Sequence, residues 1–113
     1  MIDINVKNKI KSNSINLNNF GLNDLAWKKD EALKLINSIM SDSIGILGGD
    51  VYKIELTNLI PIYDNWSCQK KTGETTAEYL LRSKNEALDY IKRYPIESNE
   101  EIIFAIIYTE TMD

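Results

Sequence analysis

A chain of 113 residues with 43% apolar and 27% charged residues is long enough for one modest hydrophobic core and too short for two, which predicts a single domain over residues 1–113. The net charge of −4 is unevenly placed, +2 over residues 1–41, −3 over 42–66 and −3 over 67–113, so the chain lacks the basic patch of a nucleic-acid binder and favours basic partners. The absence of histidine excludes Ser-His and Cys-His nucleophiles and the commonest zinc ligand, and the single cysteine, Cys68, excludes an internal disulfide.

The amino terminus carries no basic segment leading into an apolar run, and no stretch approaches the roughly 20 apolar residues of a membrane span. The expectation is a cytoplasmic protein that does not engage membrane. Ile2, Val6 and Ile10 recur every four residues among Lys7, Lys9 and Lys11, which predicts a short amphipathic helix ending near Asn13. The asparagine-rich segment 12–23 reads as an ordered loop pinned by Leu17, Phe20 and Leu22. A second helix is expected from an Asn23 or Asp24 cap, with Leu25, Ala26, Leu33, Ile36, Ile39 and Met40 as its apolar stripe, Trp27 closing the core beside it, and Asp30 as the cap of a shorter alternative segment. It gives way near Ser41-Asp42-Ser43.

Residues 44–55 read as a strand interrupted by a bulge or tight turn at Gly48-Gly49, and residues 59–66 as its antiparallel partner across Thr57-Asn58. Pro61 lacks a ladder donor and predicts an edge position for that partner. After the polar turn Lys70-Lys71-Thr72-Gly73, Thr75 or Thr76 caps a long helix on which Ala77, Leu80, Leu81, Ala87, Leu88 and Ile91 keep helical spacing, and Pro95 stops it. The uninterrupted apolar run 102–108 predicts a strand buried on both faces or central in the sheet. The fold class expected is α+β, with a mainly antiparallel sheet of about three strands against about three helices.

Gly48-Gly49-Asp50 is the most unusual local feature. Two glycines amid β-formers allow close backbone approach and a forced strand shape that aims Asp50. The triplet also opens the signature of nucleotide cyclases, but Val51-Tyr52 replaces the acidic-aromatic pair that follows there. Asp50, Glu55 and Asp64 are oxygen donors suited to magnesium, yet no glycine loop leads into a helix to cradle phosphate, so no metal and no cofactor is expected. Tyr63-Asp64-Asn65-Trp66 combines aromatics with a carboxylate, the mixture enriched at the energetic centres of protein interfaces, while packing of Trp66 into the core is the slightly favoured reading. Glu74, Glu78, Glu86 and Asp89 among Arg82, Lys84, Lys92 and Arg93 read as a solvated helix face. Cys68 beside Lys70 and Lys71 reads as an incidental thiol.

The run Ile46-Leu47-Gly48-Gly49-Asp50-Val51-Tyr52, then Tyr63-Asp64-Asn65-Trp66, then Ser83, Ala87 and Tyr90-Ile91 in a helix before a closing apolar strand, resembles the bacterial polymorphic-toxin immunity family catalogued as immunity protein 40, from about Leu25 to Tyr108. The resemblance implies a small cytoplasmic α+β antidote, not an enzyme, that binds and neutralises a cognate toxin domain. The family residues it carries over are Gly48, Gly49, Asp50 and Trp66, with Tyr52, Asp64 and Ser83, as partner-binding or fold-defining positions; Tyr63 joins them as an interface aromatic. An acidic, monomeric inhibitor suits a basic toxin such as a nuclease. Two readings from other classes compete with it. A carboxylate-dependent enzyme acting on phosphates or sugars requires Asp50, Asp64 and Glu78 to converge in one pocket. A structural subunit would pair through the edge around Pro61.

Overall fold

A computed structural model describes residues 2–22 and 24–110. In chain order it comprises α1 (Ile4–Lys11), β1 (Ile15–Asn16), a 3-10 turn (Leu17–Phe20), β2 (Leu25–Lys28), α2 (Lys29–Ser38), β3 (Ile46–Glu55), β4 (Asn58–Ser67), α3 (Thr76–Arg93) and β5 (Glu101–Tyr108). The strands form one antiparallel five-stranded sheet in the order β1-β2-β5-β3-β4. The class is α+β as expected, but the sheet has five strands where about three were anticipated.

The two additional strands come from segments whose local signals are not strand-like. Ile15–Asn16 is too short to show any alternation. Leu25–Lys28 carries the helix formers leucine, alanine and lysine in phase with the stripe that follows, and it was expected to be helical. It pairs instead with β5, Ala26 opposite Ala105 and Trp27 opposite Phe104. Backbone pairing to a buried central strand outweighs a propensity difference of at most about 0.7 kcal/mol per residue. Helix α2 therefore starts at Lys29, without a side-chain cap, and Asp30 and Glu31 in its first turn complement the helix dipole. Of the two caps expected for a longer helix, Asp24 precedes β2 and Asn23 lies outside the described residues.

Helix α3 follows its sequence signals closely. Thr75 Oγ1 accepts from the Glu78 N–H while the Glu78 carboxylate accepts from the Thr75 N–H, a complete capping box, and the helix ends just before Pro95. The hairpin turn sits at Leu56-Thr57, one residue earlier than Thr57-Asn58, with Leu56 in the left-handed region at φ 57°.

All three helices cover one face of the sheet. Val6 and Ile10 from α1, Leu35 and Ile36 from α2, and Ala87 and Ile91 from α3 meet Trp27, Ile46, Val51, Phe104 and Ile106 from the strands in the main core. A second, smaller cluster lies on the opposite face. There the turn at Leu17–Phe20 folds back so that Leu17 packs with Ala26, Ile103 and Ala105, flanked by Tyr52, Ile54 and Leu59. Strand β5 is thus buried on both faces from Ile102 to Ile106, as expected of its apolar run, but Ile107, which was expected to be buried with them, is 49% exposed where the second cluster ends, and β3 and β4 leave part of that second face bare.

The C-terminal end of α2 is closed by two lysines from other elements. Lys9 Nζ donates to the Ser38 carbonyl and pairs with Asp42 at 3.0 Å. Lys84 Nζ, on a side chain only 1% exposed, donates to the carbonyls of Ile39 at 3.1 Å and Asp42 at 2.7 Å. Cations at a helix C-terminus complement its dipole, and here they bond the Ser38 carbonyl, which α2 leaves unpaired, the Ile39 carbonyl, which also accepts from the Asp42 N–H, and the Asp42 carbonyl of the turn that follows. Burial holds the Lys84 ammonium below its ordinary pKa, partly offset by Asp42.

Candidate functional site

The glycine pair belongs to a strand that is irregular on both of its sides. Against β5, Ile46 pairs with Tyr108 but Gly48 with Ile107, so Leu47 is one extra residue, a bulge immediately before the glycines rather than at them. Against β4, Asp50 pairs with Asn65 and Tyr52 with Pro61, so three residues, 62–64, stand opposite Val51 alone. At the centre of that second bulge Tyr63 adopts φ 71°, and its side chain projects into solvent at 83% exposure.

Between the two bulges the register brings Gly49 opposite Trp66. A Cβ on Gly49 would lie 2.3 Å from Cη2 of Trp66 and 2.5 Å from the Ala105 carbonyl oxygen. A Cβ on Gly48 would lie 2.2 Å from the Trp66 carbonyl oxygen. Both glycines are therefore required by close approach, one to the indole and one to the backbone that carries it. The indole is held on its other side by Tyr90 of α3, stacked at 4.7 Å between centroids, and Tyr90 stacks in turn with Tyr94 at 6.0 Å. Tyr94 meets Phe104 edge-on at 5.6 Å, which ties the aromatic row to the main core.

Asp64 emerges from the β4 bulge toward the same row. Its Oδ2 accepts from the Tyr94 hydroxyl at 2.6 Å, and with burial this carboxylate pushes the Tyr94 phenol well above its ordinary pKa. Between β4 and α3 these groups line a groove of about 550 Å³, with Trp66, Tyr90, Tyr94 and Pro95 as its apolar surface and Asp64, Glu86 and Asp89 around it. Its cation, Arg93, pairs with Asp89 at 3.6 Å across two side chains about two-thirds exposed (67% and 66%).

The residues singled out in the sequence divide into three sets. Trp66 and Asp64 line the groove, and Tyr63 is in the β4 bulge next to Asp64. Asp50 and Tyr52 lie on the other face of the sheet, where Asp50 pairs with Ala105 and Asn65, and Tyr52 packs in the smaller apolar cluster. Gly48, Gly49 and Ser83 are interior. Ser83 is fully buried, its Oγ accepting from the Ile46 N–H at 3.0 Å and donating to the Leu80 carbonyl at 2.9 Å, so it fastens the start of β3 to α3.

Asp50, Asp64 and Glu78 do not converge: one is on the bare sheet face, one is bonded to Tyr94, and one caps α3. Among the described residues no group of three or more His, Cys, Asp or Glu side chains is gathered as a metal site. The edge around Pro61 is broken by the proline and by the bulge beside it, which protects it against strand pairing. Cys68 is buried, and burial and Glu86 push its thiol up while Arg82, not Lys70 or Lys71, acts to lower it. Arg82 also donates to Glu74 and to the Gln69 carbonyl, fixing the segment that leaves β4 onto α3. Tyr94, Glu86 and Asp89 enter the site although the sequence marked them as a helix end and a solvated face. The signal that could have found Tyr94 is its position beside Pro95, where the helix must end and the side chain can turn back toward the sheet.

No helix among the described residues is long and apolar enough to cross a membrane. No curated protein and no solved structure matches the chain at a significant level. The sequence model of immunity protein 40 matches residues 16–108, which includes the second half of the asparagine-rich segment and begins before the resemblance noted from about Leu25. With the α+β architecture in place and the match running from β1 through β5, the chain belongs to the immunity protein 40 family.

Proposed function

We propose that this single-domain chain is a non-catalytic inhibitor that binds a cognate bacterial toxin domain through the face formed by β4 and α3 and thereby protects the cytoplasm of the producing cell. Membership of an immunity family supports the antidote role. The observation that carries the choice of face is the aromatic row Trp66-Tyr90-Tyr94 beside the bonded Asp64 and the protruding Tyr63. Rigid aromatics beside charged groups are the usual anchors of an interface of about 1,600 Å². Gly48, Gly49 and Ser83 define the fold that holds this face, and Asp50 and Tyr52 lie outside it.

The acidic groove favours a basic toxin, of which nucleases are the obvious class, because a surface that attracts phosphate also attracts carboxylates and speeds association. Co-expression with the toxin encoded next to this gene tests the reading. Growth should be restored and a one-to-one complex should co-purify. Tyr63→Ala combined with Asp64→Ala should weaken that complex by about 30-fold or more, the equivalent of a 2 kcal/mol anchor. Failure of the parent chain to rescue growth, together with absence of a complex, would sink the proposal.

A further inference from the structure

Resting on the β4–α3 face as the docking surface, the geometry points to one kind of group in its groove: an arginine side chain presented by the partner. The groove has the size, the lining and the charge sign for it. At about 550 Å³ it admits a long side chain. The carbon surfaces of Tyr90, Tyr94 and Pro95 suit an aliphatic stem, and a planar guanidinium is the cation that packs best against aromatic rings.

Asp64 stands on the strand side, Glu86 and Asp89 on the helix side. Among the described residues only Oδ2 of Asp64 is bonded, to Tyr94, which leaves Oδ1 to accept, and the hydroxyl that holds Oδ2 fixes the carboxylate's direction in advance. A fork of N–H donors matches such a fixed carboxylate better than the point charge of a lysine. Glu86 is committed to Arg82, but among the described residues Asp89 is held only by Arg93 in an exposed i,i+4 pair, an interaction weak enough for an incoming guanidinium to replace. The same charges reject a phosphate or a nucleic-acid backbone.

The two tryptophans make the test direct. Trp27 is fully buried in the main core and Trp66 lines the groove, so one indole N–H resonance reports occupancy and the other is an internal control. Titrating the isotope-labelled protein with N-acetyl-arginine methylamide should move the Trp66 resonance in a saturable manner, with a dissociation constant on the order of millimolar, and leave Trp27 in place. N-acetyl-citrulline methylamide, of the same shape without the charge, should give no saturable shift. Asp64→Asn, which retains an acceptor for the Tyr94 hydroxyl, should weaken arginine binding at least tenfold with the Trp27 resonance unchanged.

A Trp66 resonance that does not respond, an equal response to citrulline, or an equal response in Asp64→Asn would each overturn the inference. These readouts need no toxin. A chain that binds arginine but rescues no growth would therefore separate failure of the antidote reading from failure of the groove assignment.

Discussion

Gly49→Ala is the substitution for which the structure gives the sharpest expectation. The added Cβ would meet Cη2 and Cζ3 of Trp66 at 2.3 and 2.6 Å and the Ala105 carbonyl oxygen at 2.5 Å, against comfortable carbon contacts of about 3.5–4.0 Å. The indole must yield by on the order of 1 Å, and the strand backbone must also shift to open the contact with the Ala105 carbonyl. Overpacking of this kind costs about 1–3 kcal/mol, and an indole pushed off Tyr90 forfeits a further 0.5–1.5 kcal/mol or so of stacking. The combined loss of about 2–4 kcal/mol lowers the melting temperature of a domain this size by on the order of 10–25 °C. Urea unfolding followed by circular dichroism measures it. If the indole is the obstacle, Gly49→Ala and Trp66→Leu should be coupled by at least about 1 kcal/mol in a double-mutant cycle. A Gly49→Ala protein within about 0.5 kcal/mol of the parent, or strict additivity with Trp66→Leu, would refute the reasoning.

Asp50→Asn should leave stability within about 0.5 kcal/mol and toxin binding within threefold or so, since its side chain bonds to no other described group and faces away from the groove; a tenfold loss of binding in a calorimetric titration would place the interface on the other side of the sheet. Lys84→Met, nearly isosteric, should cost about 1–3 kcal/mol in urea unfolding because the Asp42 carbonyl loses its ammonium donor and the Ile39 carbonyl keeps only the Asp42 N–H, and an unchanged midpoint would show that the ammonium is dispensable. Hydrogen bonds from Arg82 and from the Lys71 N–H hold the Glu74 carboxyl down to about 2. A depressed carboxylate stabilises the fold above its unfolded pKa and ceases to do so as pH falls through the folded one. The melting temperature of Glu74→Gln should therefore lie below the parent's at pH 6 and converge on it between about pH 4.5 and 2, whereas a constant gap would contradict the assignment.

What could be read in the sequence was whatever local chemistry decides. The Thr75–Glu78 capping box and Pro95 bracket α3, the apolar run of β5 announces a doubly buried strand, and Pro61 marks the edge. What could not be read depends on which segments meet. Leu25–Lys28 is a strand only because β5 offers it a partner, and its own residues argue for helix. The demand for glycine at positions 48 and 49 follows from a register that two bulges shift, neither of which leaves a mark on composition. Ser83 illustrates the same limit: a serine within a helix gives no hint that its hydroxyl receives the first N–H of a strand 37 positions away in the chain. The candidate face was half legible, Tyr63, Asp64 and Trp66 being adjacent along the chain, while Tyr90 and Tyr94 join them only through the packing of α3 on the sheet.

The bulge at residues 62–64 separates two stretches of regular pairing, Gly48-Gly49-Asp50 with Ser67-Trp66-Asn65 on one side and Tyr52 to Glu55 with Pro61 to Asn58 on the other. Because the extra residues already lie outside the ladder, changing their identity, or adding one more, alters what the edge displays without slipping the register on either side. The protein thus has a replaceable fingertip on a fixed hand: under the proposed antidote role, a lineage following a changing partner can rewrite Tyr63 and its neighbours while the glycines, Trp66 and Ser83 hold the frame. Divergence among descendants of this chain should accordingly concentrate at the bulge and spare the pairs that flank it.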